Sequence, residues 1–372
     1  MRRFERIYDV VEPVEEYRHG GYHPVHLHDV FHQRYKIIGK LAYGQYSTVW
    51  LAQDQKVGHG LVALKILKAD ASKNNKELSM LSKLSASDLD HPRKAHVIEL
   101  LNHFHHTGPN ETHLCLVLPV MISDVQEMTI SGAPHESGYV RTISRQILQG
   151  LDFLHQSDIV HCDLQPANIM ISVARATINE KILQAPEFSP VEWLDGVAQD
   201  ESAPKYLMPT QRRRGNLDNI HFSTVVVMIG DLGGAQWGQQ CDQQPVTPIA
   251  LRAPELIHRD AWGCSIDIWT LGCLIFELAT NEPLFPLDAF GLTREEIDKE
   301  HHSLISQILC LSGQRNQDFT GYLKDRLPNN FGAENVRNLA SFLLLMLQTS
   351  PQRRPSAKSL LHTPFVLGES HS

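Results

Sequence analysis

Short β-branched and aromatic segments in the first third of the chain, separated by glycine and polar residues, predict an antiparallel β-meander. A helical segment with Leu78, Leu81 and Leu84 on one face follows the third of these segments. The turn Gly108-Pro109-Asn110 separates the last two. The predicted strands are Tyr35–Lys40, Thr48–Gln53, Leu61–Leu67, Ile98–Phe104 and His113–Leu118. Together they predict a small, sheet-dominated N-terminal lobe over residues 34–118.

The spacing of apolar residues becomes helical beyond Pro119. Tyr139–His155 carries apolar residues three and four positions apart and predicts an amphipathic helix. Asp267–Thr280 and Val336–Gln348 are apolar enough to be buried helices. These segments predict a larger, mainly helical C-terminal lobe over residues 119–367. The predicted fold class is therefore α+β with two lobes.

Three stretches follow neither period. Residues 1–33 contain prolines and glycines without a sustained pattern and are interpreted as an irregular leader. Residues 172 to about 222 are rich in proline and are interpreted as a spacer inserted into the C-terminal lobe. Their basic run Arg212–Arg214 fits either a nuclear import signal or a solvated loop. Residues 368–372 form a short tail.

The composition limits the classes of function. The formal net charge of −8 at pH 7 argues against direct binding to nucleic-acid phosphates and favours a basic partner. No apolar run approaches the roughly 20 residues needed to cross a bilayer, so we expect no membrane span. The six cysteines include no C-x-x-C pair, which favours reduced thiols over a disulfide framework or a zinc ribbon. We expect an intracellular protein.

The first chemical signal is the strand-turn-strand segment Lys40–Val49, whose small residues allow the backbone to approach an anion closely. It is similar to the glycine-rich loop G-x-G-x-x-G-x-V that covers the phosphates of ATP in protein kinases. Gly44 is retained, whereas Ala42 and Ser47 occupy the other two glycine positions. By itself the match is weak, because a plain hairpin turn has the same composition. The residues predicted to contact the nucleotide are Leu41, Ala42, Tyr43, Gly44, Gln45, Tyr46, Ser47, Thr48, Val49, Ala63, Lys65 and Leu118.

The second signal is Val62-Ala63-Leu64-Lys65, which matches the V-A-I-K strand whose lysine reaches the α- and β-phosphates. Glu77, at the start of the following helix, is the natural carboxylate to hold that lysine. Such a pair would fix the ammonium where phosphate charge must be met. Glu77 also fits an ordinary surface position on a helix.

The third signal is His161-Cys162-Asp163, followed by Asn168 five residues after the aspartate and bounded by apolar runs. In this pattern Asp163 accepts or orients the substrate hydroxyl, and Asn168 holds a magnesium ion. The fourth signal is Asp231, which an apolar strand delivers into a tight glycine turn. Asp231 is predicted to bind Mg²⁺ that bridges the phosphates. The predicted catalytic residues are Asp163, Lys65, Glu77 and Asn168, and the predicted metal ligands are Asn168 and Asp231.

The fifth signal is a scaffold set in the C-terminal half. Its members are Ala253-Pro254-Glu255, Asp267–Gly272 and Pro351–Pro355. In the protein-kinase fold Glu255 is buried against Arg354, and Asp267 braces the catalytic loop. Small-molecule phosphotransferases lack this set. Its presence therefore disfavours a small-molecule kinase, which is a third possible function beside an active protein kinase and a degenerate one. The order of the five signals is more specific than any one of them.

Four further segments resemble the SR-protein kinase family, in a short form similar to its fungal members. They are Gly20–Val25, Tyr46–Ala52, Thr107–Val117 and Asp231-Leu232-Gly233. The resemblance runs from about Gly20 to Leu367. It implies a bilobal serine/threonine protein kinase that uses ATP and Mg²⁺, phosphorylates basic Arg-Ser-rich splicing proteins, and works in cytoplasm and nucleus. It also implies a substrate-docking groove built partly by the acidic stretch at Glu295, Glu296, Asp298 and Glu300. Apart from the resemblance, we expect a monomer that binds neither nucleic acid nor membrane itself.

Two substitutions within these motifs carry mechanistic content. Cys162 replaces the arginine that reads a phosphorylated activation loop in many kinases, and Thr247 is the only phosphorylatable residue between Asp231 and Glu255. We therefore predict activity without loop phosphorylation. Gln165 replaces a lysine that touches the γ-phosphate in most serine/threonine kinases, so phosphoryl transfer should be slower.

The main alternative is a degenerate kinase that binds nucleotide or an arginine-rich partner as a scaffold, with little turnover. Ala42 and Gln165 favour that reading. The five retained side chains oppose it, and they are Lys65, Glu77, Asp163, Asn168 and Asp231.

Overall fold

The structure is a computed structural model that describes residues 2–56, 60–86, 91–130, 135–174, 179–213, 221–239, 243–288, 290–314 and 316–368. The chain divides into two compact units. The first, called here the sheet unit, comprises Met1–Ser87, Ile98–Ile122 and Arg175–Asn216. The second, the helical unit, comprises Asp88–Val97, Ser123–Ala174 and Leu217–Ser372. A small sheet-dominated part and a larger helical part confirm the predicted fold class.

The strands and helices of the described residues are numbered in chain order. The strands are β1 Val30–Phe31, β2 Tyr35–Gly44, β3 Ser47–Asp54, β4 Leu61–Leu67, β5 Asn102–Gly108, β6 Glu111–Leu118, β7 Ser123–Asp124, β8 Ile159–Val160, β9 Ile169–Val173, β10 Ser189–Pro190, β11 Tyr206–Leu207, β12 Val225–Ile229 and β13 Gln236–Trp237. The helices are α1 Ala69–Ser72, α2 Lys76–Ser85, α3 Val125–Ile130, α4 Ser137–Gln156, α5 Pro254–His258, α6 Ser265–Thr280, α7 Arg294–Gln314, α8 Asn316–Lys324, α9 Ala333–Met346, α10 Ala357–Leu360 and α11 Pro364–Leu367.

The sheet unit is built on one antiparallel sheet with the strand order β1-β2-β3-β4-β6-β5. Its buried face carries large apolar side chains such as Tyr35, Trp50 and Leu64. The predicted strand at Leu61–Leu67 has the observed bounds of β4. The predicted strand at Ile98–Phe104 begins late, since β5 starts at Asn102. Before that point the backbone N–H of Leu100 donates to the Ser85 hydroxyl rather than to a neighbouring strand.

The leader and the insert pack within the sheet unit. Phe4, which is fully buried, forms an antiparallel bridge to Trp193 of the insert, with ring centroids 4.4 Å apart. Strands β10 and β11, both in the insert, pair with each other. This grouping differs from the predicted boundaries, which left the leader outside both lobes and placed the insert in the helical one. The local sequence pattern did not reveal this grouping, because the contacts that stabilise it join residues far apart in the chain.

A buried ion pair ties these segments to β2. The Lys40 ammonium contacts the Glu12 carboxylate of the leader and donates to the carbonyl oxygen of Met208 at 3.0 Å. Tyr17 donates its hydroxyl to Glu12 at 2.6 Å. Burial lowers the pKa of Lys40, and the Glu12 carboxylate opposes that shift. The leader and the insert thus share one polar network with the strand that enters the glycine-rich segment.

The helical unit contains the three predicted helices: α4 and α6 are slightly longer than predicted, whereas α9 starts three residues earlier and ends two residues earlier. Helix α4 buries Val140, Ile143, Ile147 and Leu151 along one face, and α6 is buried over nearly its whole length. Strands β12, β9 and β7 form a small antiparallel sheet, and β13 pairs with β8. These short strands hold the loops that carry the catalytic motif. No helix in the described part of the chain has the length and apolarity to span a membrane.

Candidate active site

Lys65 and Glu77 form an ion pair within the sheet unit. The Lys65 ammonium lies 2.7 Å from Glu77 Oε1 and 2.9 Å from Oε2. Asn75 caps helix α2 by accepting a hydrogen bond from the N–H of Leu78 at 2.8 Å, which places Glu77 in the first turn. Glu77 is buried. It is therefore not a surface helix residue, and the pair has the geometry that the sequence predicted.

Strand register brings several predicted nucleotide contacts to one face of the sheet. Ala42 lies opposite Val49, and Val49 lies opposite Lys65. Ala63, two residues before Lys65, lies opposite Leu118 of β6. Directly opposed residues project to the same side, so these five side chains share a face. Their contacts with a nucleotide remain a prediction.

The other predicted loop residues are placed differently. Tyr43 and Thr48 form an opposed pair on the other face of the hairpin, and Thr48 is buried. Leu41 lies at an irregularity in the register, and Ser47 pairs with Gly44 beside the turn. The turn itself exposes Gln45 and Tyr46. For several of these residues, therefore, the backbone but not the side chain is positioned to contact a nucleotide as the loop motif predicted.

The catalytic-loop residues lie together in the helical unit. Gln165 Nε2 donates to Asp163 Oδ1 at 3.0 Å, and Asn168 Nδ2 donates to Asp163 Oδ2 at 3.2 Å. Asn168 Nδ2 also donates to the backbone oxygen of Asp163 at 2.8 Å. These contacts orient the Asp163 carboxylate from both of its oxygens. Gln165, predicted only as a missing charge, is one of the groups that orient it.

Strand β12 delivers Asp231 to the same loop. Gly230, the residue before it, donates its N–H to the carbonyl of Asn168 at 2.9 Å, and its own carbonyl lies 3.0 Å from His161 Nε2. Asp231 has a φ of 55°, a left-handed conformation that is uncommon outside glycine. Burial raises the pKa of Asp163, and the charge of nearby Asp231 raises it further. Two carboxylates therefore share one polar site.

Oxygen donors suited to magnesium are present in this site. Because the Asn168 amide nitrogen is turned toward Asp163, its Oδ1 makes no hydrogen bond to the described residues and remains available as a ligand. Asp231 supplies a carboxylate, and Mg²⁺ prefers oxygen ligands, using one or two protein groups together with substrate phosphates. The residues present therefore fit the metal that the sequence predicted, and Asp163 and Asp231 would repel each other less with a cation between them.

Asp267 braces the catalytic loop by hydrogen bonds to its backbone. Its Oδ2 accepts from the backbone N–H of His161 at 2.8 Å and its Oδ1 from that of Cys162 at 3.1 Å. His155 Nε2 lies 2.9 Å from Oδ2. Burial alone would raise the pKa of Asp267, but the hydrogen bonds from His155 and His161 hold it below its usual value. The bracing role that the kinase resemblance implied for Asp267 is confirmed.

Glu255 and Arg354 form a bidentate ion pair. Arg354 Nη1 and Nη2 donate to the two carboxylate oxygens of Glu255 at 2.6 and 2.7 Å, and both side chains are buried. The guanidinium also lies over the Trp269 ring. This pair, too, was implied by the kinase resemblance and is confirmed.

A cavity of about 180 Å³ lies beside the catalytic loop within the helical unit. Its walls are mainly apolar, and Gln165 borders it on the side of Asp163. The residues that line it include Pro166, Pro248, Leu251, Leu284 and Phe285. Glu277 is its acidic member, and burial raises the pKa of that carboxyl. Among the described residues no donor or cation pairs with the Glu277 carboxylate. The sequence prediction missed this residue, although a second acid, ten residues after Asp267 in the otherwise mainly apolar α6, was a visible signal.

The acidic stretch at the start of α7 is partly engaged by its own helix. Asp298 pairs with Arg294 at 3.1 Å, and Glu296 accepts from the N–H of Thr293 at 2.8 Å. Glu295 is exposed. Of the predicted docking residues, two are thus partly neutralised or used in capping.

Comparisons with known proteins agree with these motifs. A protein kinase domain family matches residues 35–183 and 217–366, which leaves out the central part of the insert. The serine/threonine-protein kinase SRPK of Physarum polycephalum is 31% identical, with 95% of this chain and 91% of the relative aligned. The SRSF protein kinase 3 of Mus musculus is 34% identical over 95% of this chain and 90% of its own length. The protein kinase dsk1 of Schizosaccharomyces pombe is 27% identical over 97% and 86%, respectively.

Proposed function

The chain belongs to the SR-protein kinase family of serine/threonine protein kinases, and from that premise we propose that it phosphorylates serines in basic, Arg-Ser-rich splicing proteins. We propose further that it uses Mg-ATP and needs no phosphate on its activation loop. Neither the family match nor the relatives support the scaffold alternative.

The arrangement of Asp163, Asn168 and Asp231 carries the proposal. Phosphoryl transfer depends on placing the nucleophile and on neutralising phosphate charge. Asp163, oriented by Gln165 and Asn168, accepts the proton of the substrate hydroxyl. Asn168 and Asp231 would hold Mg²⁺, which would neutralise charge on the phosphates. The raised pKa of Asp163 favours a base over a spectator carboxylate.

The sheet unit supplies the nucleotide contacts in this proposal. Lys65, fixed by Glu77, meets the phosphate charge, while the face containing Ala42, Val49 and Ala63 packs against the base and sugar. Small and β-branched side chains at these positions leave room for a flat ring.

A basic substrate suits the acidic group in the cavity beside the catalytic loop. The cavity lined by Glu277 offers a partly buried carboxylate among mainly apolar walls. An arginine side chain matches both properties, since its aliphatic stem packs on apolar walls and its guanidinium binds a carboxylate. The net charge of −8 supports the same preference at longer range.

Independence from loop phosphorylation is supported by Thr247. Its side chain is buried, and its hydroxyl donates to the carbonyl of Cys162 at 2.6 Å. The ordering contact between this segment and the catalytic loop is therefore already made by an unmodified hydroxyl. We propose in addition that the enzyme works in cytoplasm and nucleus, as the family resemblance implies, and that it is a monomer that binds neither nucleic acid nor membrane directly.

Incubation of the purified protein with labelled ATP, Mg²⁺ and an Arg-Ser repeat peptide tests the proposal. An Asp163→Ala variant and a Ser-Pro peptide serve as controls. We expect transfer to the Arg-Ser peptide by the wild-type protein only. Equal signals from the wild type and the variant would support a scaffold, whereas preference for the Ser-Pro peptide would retain the kinase and remove the proposed substrate.

A further inference from the structure

Tyr22 of the leader is held by contacts to its ring and to its backbone. Its ring is 2% exposed, and the Lys68 ammonium lies 4.3 Å from the ring centroid. Its backbone carbonyl accepts a hydrogen bond from Asn110 Nδ2 at 2.7 Å. The preceding Gly21 has no space for a side chain, because an added Cβ would lie 1.9 Å from the carbonyl oxygen of Glu16. The position of the Tyr22 hydroxyl is therefore fixed by the surrounding fold.

That hydroxyl reaches the glycine-rich turn between β2 and β3. Tyr22 Oη donates to the carbonyl oxygen of Gly44 at 2.6 Å. On the other side of the turn, the N–H of Lys68 donates to the carbonyl oxygen of Tyr46 at 2.8 Å. No atom lies within 4 Å of the position that a Cβ would occupy at Gly44, so packing of neighbouring side chains does not restrain this residue. Two hydrogen bonds thus restrain an otherwise exposed turn.

The direction of one peptide plane follows from the Tyr22 contact. The described peptide bonds are trans. In a trans peptide the carbonyl and the following N–H point in opposite directions. Orienting the Gly44 carbonyl toward Tyr22 therefore orients the N–H of Gln45 away from it. In a loop that covers phosphates, the direction of a backbone N–H determines whether it can donate to an anion.

We propose that Tyr22 is a positioning residue for nucleotide binding, which presets the Gly44–Gln45 peptide by holding the Gly44 carbonyl. This inference rests on the proposed nucleotide-binding role of the loop. It gives the leader a function that is separate from substrate recognition. Burial raises the pKa of Tyr22 to about 12, so the phenol remains a donor across the neutral range.

The test is Tyr22→Phe, which keeps the buried ring and removes the hydroxyl. Loss of one hydrogen bond predicts roughly two- to tenfold weaker binding of Mg-ATP by calorimetry, with a matching rise in KM for ATP. The KM for an Arg-Ser peptide should not change. Tyr35→Phe is the matched control, since it removes a buried hydroxyl that accepts from Asn102 at 2.8 Å in the same sheet. It should alter thermal stability without altering the KM for ATP.

The outcomes separate the inference from the proposed function. If the wild-type protein binds no Mg-ATP, the proposed function and the inference fail together. If the wild type binds and Tyr22→Phe binds equally well, the inference alone is overturned. If Tyr22→Phe does not fold, Asn110→Ala is the second variant, because it releases the carbonyl of Tyr22 while keeping the phenol. An unchanged KM for ATP in that variant would also reject the positioning role.

Discussion

The hydroxyl of Thr247 donates a hydrogen bond to the backbone carbonyl of Cys162, 85 residues earlier in the chain. With Thr247 only 2% exposed, a phosphate on this residue would have to enter a buried site. We propose that this contact takes the place of the phosphate-to-arginine contact that orders the activation loop in many kinases.

We therefore predict that phosphatase-treated enzyme keeps its full activity. Thr247→Val, which keeps the shape and loses the hydroxyl that orders this segment, should lose roughly two- to tenfold in activity and about 1 kcal/mol of unfolding free energy. Thr247→Glu should lose most activity because it buries a charge. Peptide phosphorylation and chemical denaturation measure these effects. A dephosphorylated enzyme that is inactive until Thr247 is phosphorylated would contradict the prediction.

Glu277→Gln should weaken the use of arginine-containing substrates. A neutral amide loses the charge-assisted contact to a guanidinium, so kcat/KM for an Arg-Ser peptide should fall roughly tenfold. The effect should disappear with a peptide whose arginines are replaced by alanine. Glu187→Gln, at an exposed position in the insert, is the matched control for the loss of one negative charge. Equal losses in both variants would show that only long-range charge matters.

Asp163→Asn should separate stability from activity. Transfer should fall by roughly 10²- to 10⁴-fold because the proton acceptor is lost. Folding raises the pKa of the Asp163 carboxyl, so its ionised form lowers the free energy of unfolding once the pH exceeds that pKa. At pH 7 without Mg²⁺, the neutral amide should therefore increase Tm. This advantage should shrink as the pH is lowered and the wild-type carboxyl takes up its proton. A lower Tm for the variant at pH 7 would show that the carboxylate is stabilising instead.

Lys65→Met should damage both folding and function. It leaves the buried Glu77 carboxylate without its cation, which costs about 3 kcal/mol for a buried pair. The double variant Lys65→Met with Glu77→Gln should recover much of that stability, because no charge is left unpaired. Neither variant should transfer phosphate. Denaturation curves and the peptide assay give the two readouts, and additive stability losses would mean that the two side chains are not coupled.

Gln165→Lys should raise kcat. A lysine at this position can still donate to Asp163 and adds a charge that compensates the transferring phosphate. We expect a gain of roughly three- to tenfold at saturating ATP and peptide. Gln165→Met, which has similar length but no donor, should lower kcat. An unchanged kcat in the lysine variant would show that the amide is not limiting.

The sequence predicted the elements whose signals are local. The short apolar run Leu61–Leu67 predicted the bounds of β4, and the motif spacing around Lys65 and Asp163 pointed to side chains that do meet their expected partners. Glu77 was also predicted from a local signal, its position at the start of a helix. The Asn75 cap fixes that start and so limits where the Glu77 carboxylate can lie.

The missed features depend on contacts across the chain. Tyr22 was noticed only as part of a family-like segment, because its role depends on how the leader lies against β2. Glu277 was hidden in a helix predicted from its apolar residues. Lys40 read as an ordinary strand residue, yet its side chain is fully buried against Glu12. Burial and charge pairing of this kind cannot be seen in a local period.

The buried Lys40–Glu12 pair has a consequence for recombinant expression. The kinase family match begins at residue 35, after Glu12 and Tyr22. A truncated protein started there would keep the Lys40 ammonium and lose its counter-ion, leaving an uncompensated charge in an apolar interior. Such a fragment should be insoluble or unstable even though it contains every catalytic motif, so we expect the smallest autonomously folding piece of this enzyme to be longer than the region that the domain-family match outlines.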